Sequence, residues 1–271
     1  MAPKQAPPPI IVESLDELRT ALSARKGDWG FVPTMGALHA GHASLVEQAR
    51  AENPNVLISI FVNPTQFNDL SDLEKYPRTR EADISLLSDH GATVVWFPRQ
   101  EELYADQFHY RVSETVLSQE LCGKSRPGHF TGMLTIVLKL LQASRPTRAY
   151  FGEKDYQQLE LVRGMVKAFF VPTEIRACPI LRDADGLALS SRNARLSPSG
   201  ISTARSFARE LARPQHTLES LRSSLEKLNL SVDYLKDDDM RRYAAVIVEG
   251  IRLIDNRPLS AHHQMQKEST P

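Results

Sequence analysis

Apolar segments of strand length alternate with amphipathic segments of helix length through the first two thirds of this chain. Residues 56–62, Val-Leu-Ile-Ser-Ile-Phe-Val, are almost continuously apolar, which is typical of a strand covered on both faces. Residues 133–141 are apolar nearly all round and predict a buried helix. The alternation predicts an α/β fold, in which a parallel sheet with right-handed crossovers binds ligands at the carboxyl ends of its strands. The other strand candidates are 29–32, 92–97, 148–151 and 174–180, and the other helix candidates are about 79–89 and 155–169.

A capping box marks the start of the first helix. Ser14 and Glu17 have the required spacing, and Leu15, Leu18 and Leu22 follow on one helical face. This pattern predicts an amphipathic helix packed on the sheet.

The pattern changes beyond residue 198. Helical periodicity covers about 201–212 and 217–228, and residues 232–234 and 243–248 are short strand candidates. We therefore expect a first domain at 1–180 and a smaller α+β domain at 181–271. The polar residues from about Ser260 onward are expected to be frayed.

The charge balance limits the partners of this chain. Its 271 residues include 33 basic and 33 acidic side chains, a balance that argues against nucleic acid or a membrane surface as a partner. Cys122 and Cys178 lie too far apart in sequence to suggest a disulfide framework or a metal-ligand pair. There is no membrane-spanning apolar run, and the proline-rich residues 2–9 do not resemble a secretion signal, so we expect a cytoplasmic protein.

Residues 33–42, Pro-Thr-Met-Gly-Ala-Leu-His-Ala-Gly-His, join a strand candidate to a helix start. The first N–H groups of a helix lack intrahelical partners and carry partial positive charge, so this segment predicts a phosphate site. His39 and His42 would donate hydrogen bonds to phosphate oxygens during reaction. The alternative is two surface histidines at a helix cap, and this segment alone does not decide between them.

Residues 151–158, Phe-Gly-Glu-Lys-Asp-Tyr-Gln-Gln, repeat the strand–glycine–helix layout. Gly152 allows close backbone approach, and Asp155 is the expected N-cap, which places Lys154 at a helix N-terminus. A lysine there can neutralise phosphate, although a solvated lysine is the simpler alternative.

Other polar segments follow strand candidates. Asn63 and Gln66 offer amide donors and acceptors for a hydroxylated ligand, or form an ordinary Asn-Pro turn. Ser190, Ser191 and Arg192 could bind phosphate, or end a strand as a polar turn. Residues 126–130, Arg-Pro-Gly-His-Phe, are either an anion contact or a stiff loop. The chain has neither a Walker loop nor a Gly-x-Gly-x-x-Gly run, so it binds phosphate by another route.

Six segments in order over residues 28–197 resemble the pantothenate synthetase (pantoate–β-alanine ligase) family. They are PTMGALHAGH, SIFVNPTQF, YPRT, RPGHF, FGEKDYQQL and DGLALSSRN, and the tail RLIDN at 252–256 is also similar. Two acidic pairs of the family are altered here: the first is represented by Ser71–Asp72, and the second is reduced to Ala82–Asp83. The wider resemblance is to nucleotidyltransferases with a His-x-Gly-His signature.

The resemblance implies that ATP, accompanied by Mg²⁺, adenylates (R)-pantoate, and that β-alanine then attacks the adenylate and releases AMP. It further implies a homodimer with a Rossmann-like domain and a C-terminal lid. His42, His39 and Lys154 would be catalytic, and Gln66 and Gln158 would bind pantoate. The implied ATP-binding residues are Met35, Gly36, Ala37, Leu38, His39, Ala40, Gly41, His42, Gly152, Glu153, Lys154, Asp155, Leu181, Leu189, Ser190, Ser191 and Arg192.

Two other functions remain open at this point. A nucleotidyltransferase acting on a phosphate ester would need a basic group where the neutral amides of Gln66 and Gln158 stand. A catalytically silent nucleotide-binding homologue would keep the same motifs. A tRNA synthetase is disfavoured by the neutral charge and by the lack of a Lys-Met-Ser-Lys-Ser run.

Overall fold

Six parallel strands form the sheet at the centre of the first unit, in the order β1-β4-β3-β2-β5-β6. The computed structural model describes residues 7–68 and 70–259. The expected fraying from Ser260 lies outside these residues. The predicted parallel α/β fold is confirmed. The strands are β1 (Ile10–Val12), β2 (Trp29–Thr34), β3 (Asn55–Ile60), β4 (Val94–Trp96), β5 (Arg148–Gly152) and β6 (Glu174–Cys178).

Eight helices accompany this sheet in the described residues. They are α1 (Leu15–Ser23), α2 (Ala40–Glu52), α3 (Leu70–Glu74), α4 (Arg80–Asp89), α5 (Gln100–Leu103), α6 (Cys122–Ser125), α7 (His129–Ser144) and α8 (Tyr156–Ala168). Short 3-10 turns occupy Pro64–Gln66, Leu117–Gln119 and Glu153–Asp155. The predicted capping box of α1 is present, because Ser14 and Glu17 exchange hydrogen bonds between side chain and backbone.

Both faces of the sheet are covered, as the apolar run at 56–62 predicted. Val56 and Ile58 of β3 pack with Val46 of α2 and Leu87 of α4. Leu57 points to the opposite face and is also fully buried. Cys122 and Cys178 are both buried and form no disulfide bond with each other, and burial raises the pKa of the Cys178 thiol to about 12.

Several predicted element ends are wrong, for identifiable reasons. The strand predicted at 174–180 stops at Cys178 because Pro179 has no N–H to donate. The strand predicted at 56–62 stops at Ile60, ahead of the 3-10 turn that begins at Pro64. The helix predicted from Asp155 begins at Tyr156, since Asp155 lies in a 3-10 turn.

A three-stranded antiparallel sheet forms the second unit, with strands in the order β7-β8-β9. The predicted smaller α+β fold is confirmed, although the sequence did not predict β9. Phe207 and Leu221 from its two helices pack against Val246 and Leu253 of the sheet. The elements are α9 (Pro198–Leu211), α10 (Leu218–Lys227), β7 (Ser231–Asp237), β8 (Arg241–Val248) and β9 (Ile251–Pro258), preceded by a 3-10 turn at Ser191–Arg195.

The division into two units differs from the predicted boundary between residues 180 and 181. The first unit comprises the chain up to Glu153 and residues 157–179, and the second comprises residues 154–156 and the chain from Ile180 onward. Lys154 therefore groups with the second unit and not with residues 1–153. Among the residues that the structure describes, no helix has the length and apolarity that crossing a membrane requires.

Gly132 brings α7 against the turn at Pro64–Gln66. A Cβ atom at Gly132 would lie 2.3 Å from the Thr65 carbonyl oxygen and 2.8 Å from the Gln66 nitrogen. We expect Gly132→Ala to lower the free energy of unfolding by about 1 to 3 kcal/mol, because a backbone turn must move to accept the methyl group. Urea denaturation monitored by circular dichroism measures the change.

The matched control is Gly164→Ala, in the exposed middle of α8, where no described atom outside the adjacent helix backbone and chain neighbours lies within 4 Å of the added methyl group. There we expect a gain of about 0.5 to 1 kcal/mol from helix propensity. Equal changes of the same sign in both variants would contradict this packing argument.

Candidate functional site

The strand order creates a topological switch point at β2. The chain runs from β2 to β3 and β4 on one side, and later continues with β5 on the other side of β2. In open α/β sheets, ligands bind in the crevice outside the carboxyl ends of the strands at such a point. Two of the predicted motifs leave the sheet here: residues 35–42 follow β2, and Gly152 ends β5.

His39 and His42 form a reciprocal cap at the start of α2. The Nδ1 atom of His39 accepts a hydrogen bond from the Gly41 N–H at 3.1 Å. The Nδ1 atom of His42 accepts from the His39 N–H at 3.3 Å, and the two ring centroids are 4.2 Å apart. A backbone N–H can only donate, so each neutral imidazole carries its proton on Nε2.

This geometry is compatible with both alternatives that the sequence left open for His39 and His42, phosphate binding and helix capping. The histidines do cap the helix, and capping assigns Nε2–H as the donor of both rings. Such donors suit an anion on the outer side of the rings. The role of these donors toward phosphate stays a prediction.

Most amides at and just before this helix start have partners, although the Ala40 N–H, the first of α2, makes no hydrogen bond to a described residue. The Ala37 N–H and the Leu38 N–H donate to Asp83, and the His42 N–H donates to the His39 carbonyl. The His39 and Gly41 amides are used in the cap just described. In this segment the imidazoles are therefore better placed than these amides to donate to a phosphate.

Asp83 is a site residue whose role the sequence did not reveal. It lies on α4 and is only 2% exposed. Its Oδ1 accepts from the Leu38 N–H at 2.8 Å and from the Thr79 hydroxyl at 3.1 Å, and its Oδ2 accepts from the Ala37 N–H at 3.1 Å. Charge-assisted bonds of this kind are stronger than neutral ones and fix the loop.

The backbone of this loop explains the need for such an anchor. Gly36 and Ala37 both have left-handed φ angles, +84° and +51°. The conformation is unfavourable for Ala37. A Cβ at Gly36 would also lie 3.1 Å from Asp83 Oδ2. The contact between Leu38 and Asp83 joins residues that are 45 positions apart, so no local sequence pattern predicted it.

Asn63 is a buried residue whose side chain holds the Gln66 amide in place. Asn63 is 1% exposed, and its Oδ1 accepts from the Tyr104 hydroxyl at 2.7 Å and the Thr65 hydroxyl at 3.0 Å. Its Nδ2 donates to Gln66 Oε1 at 3.0 Å and to the Gly132 carbonyl at 3.1 Å. Burial raises the pKa of the Tyr104 phenol, which keeps the proton that it donates. The Asn63 side chain therefore makes all four hydrogen bonds that an amide can make. It orients its neighbours, which is a larger role than that of an ordinary turn residue.

Gln66 is held at both its side chain and its backbone. Its Nε2 donates to the Met35 sulfur at 2.9 Å, and its carbonyl accepts from His129 Nδ1 at 2.8 Å and from Arg126 Nη2 at 3.2 Å. The amide retains one N–H and one lone pair for a ligand. Arg126 and His129, which the sequence left as an anion contact or a stiff loop, contact each other and the Gln66 backbone.

Gln157 and Gln158 have different environments on α8. Gln157 is buried, and its amide bonds to the backbone of Leu117, Glu120 and Cys122. Gln158 is half-buried, and its side chain makes no hydrogen bond to any residue that the structure describes. The environment of Gln158 is compatible with the predicted binding role, which stays a prediction.

Lys154 lies two residues beyond the end of β5. Apart from its two chain neighbours, no described residue has an atom within 4 Å of a Cβ placed on Gly152, so there is space beside this strand end. The Lys154 side chain is 19% exposed, with Nζ 3.7 Å from Asp155 Oδ2. Its carbonyl accepts a hydrogen bond from Asn256 Nδ2 at 3.0 Å, which explains why this lysine groups with the second unit.

In the second unit, residues 181–192 form a tight antiparallel loop. The Leu189 N–H donates to the Leu181 carbonyl at 3.0 Å, and Arg182 pairs with Ala188. Ser190 caps the following 3-10 turn by accepting from the Arg192 N–H at 3.3 Å. The predicted polar turn is therefore present, and phosphate binding by Ser190, Ser191 and Arg192 stays a prediction.

Comparison with known proteins identifies the family. A sequence profile of the pantoate-beta-alanine ligase family matches residues 10–258. Pantothenate synthetase of Legionella pneumophila (strain Corby) is 50% identical over 230 residues, which are 84% of this chain and 90% of that protein. Pantothenate synthetase of Bdellovibrio bacteriovorus is 46% identical over 246 residues, which are 91% of this chain and 98% of that protein.

A solved structure agrees with these sequence relatives. Pantoate-beta-alanine ligase from Francisella tularensis, crystallised in complex with beta-gamma ATP and beta-alanine, matches with a TM-score of 0.89 at 40% identity. The match covers 92% of this chain and 97% of that one. Sequence motifs, sheet topology and these comparisons agree, and the chain belongs to the pantoate-beta-alanine ligase family.

Proposed function

We propose that this protein joins (R)-pantoate to β-alanine at the expense of ATP and releases AMP and pyrophosphate. The observation that carries the proposal is the histidine pair at the switch point, whose capping bonds assign Nε2–H as the donor of both rings. Family membership over residues 10–258 supports the same activity. The protein is accordingly an enzyme of the ligase class.

The first step activates a poor acyl donor. A carboxylate oxygen of pantoate attacks the α-phosphorus of ATP, the bond to the β-phosphate oxygen breaks, and pyrophosphate leaves. His42 and His39 stabilise the negative charge that grows on the phosphates by donating from Nε2. The Asp83 anchor keeps the loop that carries them from reorganising during the step.

Lys154, Leu181 and residues 189–192 contribute the ATP contacts of the second unit in this proposal. The lysine supplies positive charge, and Ser190, Ser191 and Arg192 supply hydroxyl and guanidinium donors. The family resemblance supports these assignments.

The second step forms the amide bond. The amine nitrogen of β-alanine attacks the acyl carbon of the adenylate, gives up a proton, and AMP leaves with the electrons of the broken bond. Gln66 and Gln158 hold the hydroxyl groups and the acyl oxygen of the pantoyl group. The fixed orientation of the Gln66 amide, set by Asn63 and Met35, supports this role.

Mg²⁺ enters the proposal only as the companion of ATP, whose phosphate charge it neutralises. Within residues 7–68 and 70–259, no three His, Cys, Asp or Glu side chains are grouped closely enough to hold a metal ion. Asp83 is also committed to the loop. We assign the ion no separate step. A homodimer is proposed on the family resemblance, and a cytoplasmic location follows the expectation from the sequence.

The partial reactions test the function directly. With ATP and pantoate alone, we expect up to one pyrophosphate per active site to be released in a burst, because the adenylate forms and stays bound. Adding β-alanine should start continuous release of AMP and pantothenate. Both products are measured by coupled assays and mass spectrometry. ATP binding without either release would identify a silent homologue, and AMP transfer to a phosphate ester would identify a nucleotidyltransferase.

The charged and imidazole donors should control turnover. We expect His42→Ala and Lys154→Ala each to lower kcat by about two to three orders of magnitude, the usual loss for a transition-state donor. Steady-state pyrophosphate release measures both. His90→Ala and Lys167→Ala, which change partly or fully exposed side chains at the ends of α4 and α8, are the controls and should retain the parent rate. Parent turnover in either test variant would remove that residue from the proposed mechanism.

Replacing Asp83 should lower the efficiency with which the enzyme uses ATP, because its carboxylate holds the loop at Ala37 and Leu38. In Asp83→Asn an amide N–H₂ faces the Ala37 or Leu38 N–H, so one anchoring bond is lost. We expect the kcat/KM for ATP to fall by about tenfold or more, as the loss of one charge-assisted bond implies. The control is Asp89→Asn at the exposed end of the same helix. Unchanged ATP kinetics in a stably folded Asp83→Asn enzyme would show that the loop needs no such anchor.

A further inference from the structure

Two neighbouring polar residues of β9, Asp255 and Asn256, are buried at 3% and 2% exposure. They belong to the tail Arg-Leu-Ile-Asp-Asn, which the sequence connected to the family without giving it a role. Buried polar groups are costly unless they are hydrogen-bonded. The partners of this pair therefore indicate what the tail does.

Both ends of the Asn256 amide are occupied. Its Nδ2 donates to the Lys154 carbonyl at 3.0 Å, and its Oδ1 accepts from Arg241 Nη1 at 2.5 Å. The Arg241 guanidinium also lies over the Tyr156 ring, 3.9 Å from its centroid. Asn256 and Arg241 thus hold residues 154 and 156 on either side of Asp155.

Asp255 fixes the backbone on which Asn256 stands. It forms a bidentate pair with Arg182, at 2.7 Å and 2.9 Å, and accepts from the Asn256 N–H at 2.7 Å. Arg182 Nη2 also donates to the Asn256 carbonyl at 3.2 Å. Such a satisfied buried network is rigid, which gives the Asn256 amide a single orientation.

We propose that Asn256 is a positioning residue for Lys154: it holds the backbone of the lysine so that the ammonium group is preset for the ATP phosphates. This inference rests on the proposed function, since it takes Lys154 as a phosphate contact. Asn256 itself does not touch the nucleotide. Supporting shells of this kind decide whether a catalytic group is held closely enough to act.

Asn256→Asp tests the inference with little change of shape. The carboxylate keeps an acceptor for Arg241 but loses the N–H that binds the Lys154 carbonyl and places an oxygen against it. We expect the kcat/KM for ATP to fall by about tenfold, with the KM for β-alanine unchanged. The control is Arg252→Ala, on the same strand as Asn256, which removes an ion pair to Asp233 of β7. Its kcat/KM for ATP should stay within about twofold of the parent value.

A double-mutant cycle separates positioning from a general structural effect. If Asn256 acts through Lys154, Asn256→Asp should change the activity of the Lys154→Ala enzyme by less than about twofold. A further tenfold loss in that background, or parent kinetics in Asn256→Asp alone, would overturn the inference and leave the proposed function standing. Parent turnover in Lys154→Ala would instead refute the assigned role of Lys154, and the inference with it.

Protein stability is followed in parallel, because a buried carboxylate could unfold the second unit. Thermal unfolding of each variant is measured by circular dichroism. If Asn256→Asp does not fold, Asn256→Ala removes the same donor without adding charge, and the same cycle with Lys154→Ala is applied to it.

Discussion

The buried carboxylate of Asp83 is the contact on which the candidate site depends. It accepts the Ala37 and Leu38 amides and so stabilises a loop with two successive left-handed residues. That loop turns the chain from β2 into α2 and places His39 at the N-cap. The anchor compensates the cost of a strained turn at the switch point. The anchor also pairs two loop amides, those of Ala37 and Leu38, within the protein.

Three polar side chains support residues of the proposed active site in a similar way. Asp83 holds the loop before His39, Asn63 orients the Gln66 amide, and Asn256 holds the Lys154 backbone. Each is almost fully buried, and each has its hydrogen-bonding groups largely paired. A buried amide or carboxylate with all its partners present has one favourable orientation, and this rigidity passes to the residue that it holds.

Much of the fold was predictable because it depends on local patterns. The apolar run at 56–62 predicted a doubly covered strand, and the box at Ser14 and Glu17 predicted a helix start. The edge strand β1 has only three residues, and charged side chains interrupt the apolar pattern of β9, so neither was predicted. The site motifs were found from residue type and spacing, but their hydrogen-bond partners were not.

The sequence by itself determined the alternation of most strands and helices, the family, and which side chains carry the proposed chemistry, since periodicity and short motifs encode these locally. Tertiary structure decided the strand order that makes β2 the switch point, the pairing of the loop amides, and the grouping of Lys154 with the second unit. The reason is distance along the chain. Leu38 and Asp83 are 45 positions apart, and Lys154 and Asn256 are 102 apart, so only packing of the folded chain brings these partners together.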